Sequence, residues 1–90
     1  MNKKWLHLGS KIVGDLENTN QLICPNCGKQ GIDYLYVGDE QTRVGYVQIW
    51  CNKCLKGIYI SRAIAPQKAN FVNFDTEIKD IVPKYEFVEQ

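Results

Sequence analysis

Histidine is almost missing from this chain of 90 residues: His7 is the single one. Methionine occurs once and proline three times. No apolar run approaches the ~18 residues of a membrane-spanning helix. The segment after the basic stretch Met1–Lys4 is interrupted by His7, Ser10 and Lys11 before any signal-peptide core forms. Asn-x-Ser/Thr sites are absent as well. An excess of one charge is lacking too, since the formal net charge is +1. There is thus no global field to steer a polyanion. These absences predict a cytoplasmic protein with no membrane association. The low net charge argues against a dedicated polyanion binder. No nucleophile–base pair and no Gly-rich phosphate loop stand out, so an enzyme is not expected.

Four cysteines and ten aromatic residues (two Trp, five Tyr, three Phe) stand against these absences. The aromatics argue for a packed core and against disorder. A chain this short buries only about 60–65% of the surface it exposes unfolded, so a staple is expected. The cytosol keeps thiols reduced and disfavours structural disulfides, which turns attention from disulfides to metal.

The cysteines form two pairs, Cys24-Pro25-Asn26-Cys27-Gly28 and Cys51-Asn52-Lys53-Cys54, with 23 residues between Cys27 and Cys51. Each C-x-x-C can fold into a knuckle that aims two sulfurs at one point, with backbone N–H groups offsetting their charge. Pro25 stiffens the first knuckle, and Gly28 offers a residue able to take positive φ. Four sulfurs suit one tetrahedral Zn2+ at ~2.3 Å per bond. Paired C-x-x-C at this separation is a strong metal signature. Cys24, Cys27, Cys51 and Cys54 are therefore the expected ligands. A closed set of four leaves His7 as a surface or packing residue and no open position for a catalytic water.

The gap suits a hairpin. Ile32–Val37 and Val44–Trp50 read as strands around the polar turn 38–43. Val44, Tyr46, Gln48 and Trp50 share one face; Val47, Ile49 and Cys51 share the other. Gly57–Ala65 is a third strand, with Ile58, Ile60, Arg62 and Ile64 in one row, and Pro66 ends it. Residues 8–18 suit a short helix capped by Ser10, with Leu8, Ile12, Val13 and Leu16 on one face. Residues 71–74 read as a short fourth strand or packing segment, and 81–88 as extended. The expected fold is small and mainly β: a three-stranded antiparallel sheet, a short N-terminal helix and a C-terminal extension. The expected organisation is a helical segment 1–21, a ribbon 22–66 and an acidic extension 67–90 packing on it, all in one domain.

Residues 22–65 resemble the zinc-ribbon family, which is related in architecture to rubredoxin. Cys24-Pro25-Asn26-Cys27-Gly28 is similar to the first knuckle of such ribbons. The second departs from the pattern, with Leu55 where many have glycine and Gly57 two residues on. Gly45–Cys51 running into Lys56–Arg62 also resembles small bacterial zinc-ribbon proteins, a likeness that implies no particular activity. The resemblance implies a structural zinc site. It leaves open a rubredoxin-like iron site for electron transfer, although rubredoxins have Cys-Pro-x-Cys-Gly at the second knuckle. A dithiol redox role for Cys24 and Cys27 would need a helix N-terminus after a strand, and Gly28 follows at once.

Two function classes follow. One is a protein-interaction or regulatory module with a protein partner. It draws on the low net charge and on an acidic stretch, residues 69–90, with two Lys/Arg against five Asp/Glu. The other is nucleic-acid binding. Residues 28–68 carry six Lys/Arg against three Asp/Glu. Trp50, Tyr46 and Tyr59 with Lys53, Lys56, Arg43 and Arg62 would form its stacking and phosphate-binding face, Tyr34 and Tyr36 adding to it. The competing reading packs these aromatics under Phe71, Phe74, Tyr85 and Phe87. Arg62 has Asp75, Glu77 and Glu86 as possible acidic partners.

Overall fold

The computed structural model describes residues 3–79 and 81–88. Helix α1 spans Lys3–Gly14 and a 3-10 turn spans Thr19–Gln21. The strands are β1 (Ile32–Gly38), β2 (Val44–Cys51), β3 (Lys56–Ile64), β4 (Phe71–Asn73) and β5 (Glu86–Phe87).

The helix begins and ends four or five residues earlier than the pattern of residues 8–18 predicts. Its buried stripe is Trp5, Leu8 and Ile12, spaced i, i+3, i+7. The apolar periodicity thus runs back to Trp5, and the Trp5 indole anchors the first turn. Ser10 lies inside the helix on its exposed side and caps nothing there. Val13 is exposed and Leu16 lies beyond the helix end.

The sheet corrects the expectation of three antiparallel strands. It has five strands in the order β4-β1-β2-β3-β5 and is mixed. β1, β2 and β3 are antiparallel neighbours, whereas β4 runs parallel to β1 and β5 parallel to β3. The reason lies in backbone hydrogen bonding. A three-stranded ribbon leaves a row of unpaired N–H and C=O groups along each outer edge. The chain beyond β3 returns to both edges. The Tyr36 amide donates to the Asn70 carbonyl at 2.9 Å on one side, and the Val88 amide to the Gly57 carbonyl at 2.7 Å on the other.

Each face of the sheet carries its own cover. On one, Trp5, Leu8 and Ile12 pack on Ile32, Tyr34, Tyr36, Val47, Ile49 and Ile58. On the other, Val82, Val72, Ile78 and Tyr85 pack on Leu35, Val37 and Trp50. Each large apolar side chain buried in this way contributes about 1.5–3 kcal/mol.

The row assigned to β3 also needs correction. Pairing shifts between Gly45 and Tyr46, which face Ala63 and Ser61, so Arg62 is an extra residue with φ 57°. This β-bulge reverses the alternation. Ile58 and Ile60 face the helix, but beyond the bulge Ala63 and Ala65 take that side and Ile64 is exposed.

Tyr85 closes the second face. Its ring stacks on Trp50 at 6.1 Å between centroids, and its hydroxyl donates to Gln48 Oε1 at 2.7 Å. Burial, with Tyr46 nearby, pushes its phenol up to about 12. A phenol whose folded value lies above its ordinary value of 10 contributes stability that is fully present below pH 10. That stability is lost as pH rises through about 12. Urea unfolding across this window is therefore expected to show falling stability, with a shallower fall in Tyr85→Phe. An equally steep fall in that variant would remove Tyr85 as the cause.

Candidate metal centre

The hairpin register places Ile32 opposite Cys51, so the end of β2 lies beside the entry to β1. The Asn52 amide donates to the Gly31 carbonyl at 2.8 Å, fastening the second knuckle to that entry. Trp50 adds a side-chain tie, donating through Nε1 to Asn52 Oδ1 at 2.9 Å. The first knuckle is held by the Cys24 amide donating to the Lys29 carbonyl at 2.9 Å and by the Ile23–Gln30 bridge.

The two knuckles share one backbone design. The Gly28 amide donates to the Cys24 carbonyl at 2.9 Å, and the Leu55 amide donates to the Cys51 carbonyl at 2.9 Å. Both turns then need a left-handed residue, with φ 74° at Gly28 and 54° at Leu55. Leu55 therefore makes the turn that glycine makes in the first knuckle, at the steric cost of its Cβ. That cost is about 1–2 kcal/mol, and glycine returns about 0.4–1 kcal/mol of it through the unfolded state. Leu55 is also 43% exposed, so little burial is at stake. Leu55→Gly should stabilise the protein by about 0.5–1 kcal/mol, read as a higher Tm of the metal-loaded protein. A lower Tm would show that the Leu55 side chain contributes packing worth more than the strain.

Cys24, Cys27, Cys51 and Cys54 converge, with all four Sγ atoms within 4.8 Å of one another. Cys24 and Cys54 Sγ lie 3.7 Å apart, as do Cys27 and Cys51 Sγ. No disulfide joins them. A tetrahedron of sulfurs around a metal at ~2.3 Å has edges of about 3.8 Å, so the thiol set fits such an ion. Cys24 and Cys51 are buried, while Cys27 and Cys54 are partly exposed.

Hydrogen bonds to the sulfurs prepare them for negative charge. The Asn26 and Cys27 amides approach Cys24 Sγ at 3.3 and 3.5 Å, and the Lys53 amide approaches Cys51 Sγ at 3.4 Å. Asn26 Nδ2 reaches across to Cys54 Sγ at 3.7 Å, linking one knuckle to the other. Burial pushes the Cys24 thiol up to about 12. Burial also works to raise Cys54. There, hydrogen bonds from Asn26, from Cys24 and Cys27 and from the Lys56 amide outweigh it and hold the thiol near 7. The cross-knuckle role of Asn26 is not legible in the sequence, because spacing points to candidate ligands but not to which x residue of a C-x-x-C turns inward.

The seven residues proposed as an aromatic–basic face do not form one surface. Trp50 is 1% exposed beneath Tyr85. Arg43 stacks its guanidinium over Phe71 at 4.5 Å and donates to the Ala65 and Pro66 carbonyls. Lys56 pairs with Glu86 at 3.4 Å. Tyr46 and Tyr59 do meet, at 4.9 Å between centroids, and Phe74 lies 6.4 Å from Tyr46. Lys53 and Arg62 are exposed. Tyr34 and Tyr36 are buried on the helix side. Of the acids considered for Arg62, Glu86 pairs with Lys56 and Glu77 with Lys79, and among the described residues none pairs with Arg62. His7 lies outside the thiol cluster.

No family model, curated protein or solved structure matches this chain. Among the described residues no helix is long and apolar enough to cross a membrane.

Proposed function

We propose that this chain is a zinc-binding ribbon in which the metal is structural, and that it acts without catalysis as a protein-interaction or regulatory module. The observation that carries the metal reading is the convergence of four thiols within 4.8 Å at the mouth of the hairpin. Four thiolates from two knuckles make a closed set, which suits Zn2+ and leaves no position for a reacting water. When bound, the ion supplies a cross-link between residues 24–27 and 51–54. Protein recognition is favoured over nucleic-acid binding by the placement of Trp50 and Arg43. Both are engaged inside the fold, so neither is free for base stacking or phosphate contact.

Elemental analysis with a visible spectrum, on protein purified without oxygen, tests the metal. One zinc per chain and no colour supports the proposal. One iron per chain with thiolate-to-iron absorption overturns it in favour of a rubredoxin-like electron carrier. Absence of any reproducible protein partner from host extract would count against the interaction role.

A further inference from the structure

Along α1, Lys4, His7 and Lys11 follow one another at i, i+3 and i+7, which places them on one stripe of the helix. The stripe does not face open solvent alone. Together with Leu8, Ile23 and Pro25 it lines a groove of about 340 Å³ between the helix and the first cysteine knuckle. Among the described residues no acidic side chain lines this groove. The ion pairs of the described residues lie elsewhere, at Lys56–Glu86 and Lys79–Glu77. Ile23 is 55% exposed and lies at the knuckle, while Leu8 is buried. The groove therefore combines an apolar floor with a cationic rim.

We propose that this groove docks an acidic peptide segment of a partner protein, with an apolar side chain of that segment against Leu8, Ile23 and Pro25 and its carboxylates against Lys4, His7 and Lys11. The inference rests on the interaction-module reading and assigns its surface. Charge complementarity identifies the occupant: a rim carrying Lys4 and Lys11, with no acid among the described residues, favours carboxylates and repels basic segments. The apolar floor requires a side chain, which a peptide supplies and a bare anion lacks. A lipid surface fits less well, because Trp5, Leu8 and Ile12 of α1 are already buried on the sheet. A single-stranded nucleic acid fits less well too, because among the described residues neither an aromatic ring nor an arginine lines the groove. The groove adjoins Pro25, between the first two metal ligands, so its shape depends on the metal-bound knuckle.

Fluorescence polarisation of the zinc-loaded full chain tests this, with a short fluorescein-labelled peptide alternating glutamate and leucine as the probe. Saturable binding is expected, weakened about tenfold or more, equivalent to about 1.4 kcal/mol, in the double variant Lys4→Glu/Lys11→Glu. Ile23→Ser should weaken it about as much. A second double variant, Arg62→Glu/Lys68→Glu, changes net charge equally at residues outside the groove and should keep affinity within about twofold. Zinc content and Tm check that each variant is folded. The proposal is overturned if the wild-type chain shows no saturable binding, or if both double variants lose affinity equally. It is also overturned if a poly-dT strand or phosphatidylserine vesicles bind more tightly than the peptide through Lys4 and Lys11. A host partner cross-linked elsewhere on a zinc-loaded chain would sink the groove assignment while leaving the interaction-module reading intact.

Discussion

Replacing Cys24 with serine should abolish the cooperative melt of this protein. Cys24 is 1% exposed and sits at the contact between the two knuckles. Apart from the cysteines, the segments that carry the ligands bury little side chain of their own. Ile23, Gly28, Lys29 and Gln30 are exposed in the first, and Asn52, Lys53 and Leu55 in the second. Zinc in small domains contributes on the order of 10 kcal/mol at neutral pH, and a domain's whole stability is about 5–15 kcal/mol. Losing one thiolate, or stripping the metal with a chelator, thus removes a share comparable to the total. Cys54→Ser should behave the same way. Near-UV circular dichroism reads the effect through Trp5 and Trp50, which pack on opposite faces of the sheet. A native-like cooperative melt in either variant, with no metal bound, would end the structural role.

The second large effect is expected from Gly45→Ala. Gly45 faces Gly38 across β1 and β2, next to the register shift. A Cβ at Gly45 would stand 1.9 Å from the Val37 carbonyl oxygen and 2.5 Å from the Gly38 Cα. Both are backbone atoms, so no side chain can swing aside and the strands must part. We expect a loss of about 3 kcal/mol or more, beyond ordinary overpacking. Gly14→Ala is the matched control. It lies at the end of α1, and nothing stands within 4 Å of its Cβ position. That substitution should be neutral or stabilising by about 0.5–1 kcal/mol. Denaturant midpoints of the two metal-loaded variants check both signs. Equal midpoints would show that β1 and β2 can separate at Gly45 without cost.

The hairpin and the convergence of the cysteines were legible because they depend on short stretches of chain. Alternation over Val47, Ile49 and Cys51 put these residues on one face, and the register Ile32↔Cys51 brings the knuckles together. Leu55 was legible only as a departure. Its sequence suggested a different turn, yet the Cys51 carbonyl imposes the same backbone bond that Gly28 makes. The helix starts earlier than a cap at Ser10 predicts, because Trp5 at helical spacing from Leu8 extends the buried stripe.

By itself the sequence determined which four thiols could hold a metal, the turn at residues 38–43 and the near-neutral charge. These follow from covalent spacing and composition, which no later contact can change. Only the tertiary structure decided that β4 and β5 run parallel to their neighbours, that Arg62 bulges and reverses the end of β3, and that Trp50 lies under Tyr85. Each of these depends on where a distant part of the chain returns to the sheet. That return is set by open backbone edges and uncovered apolar faces, which exist only once β1, β2 and β3 have come together.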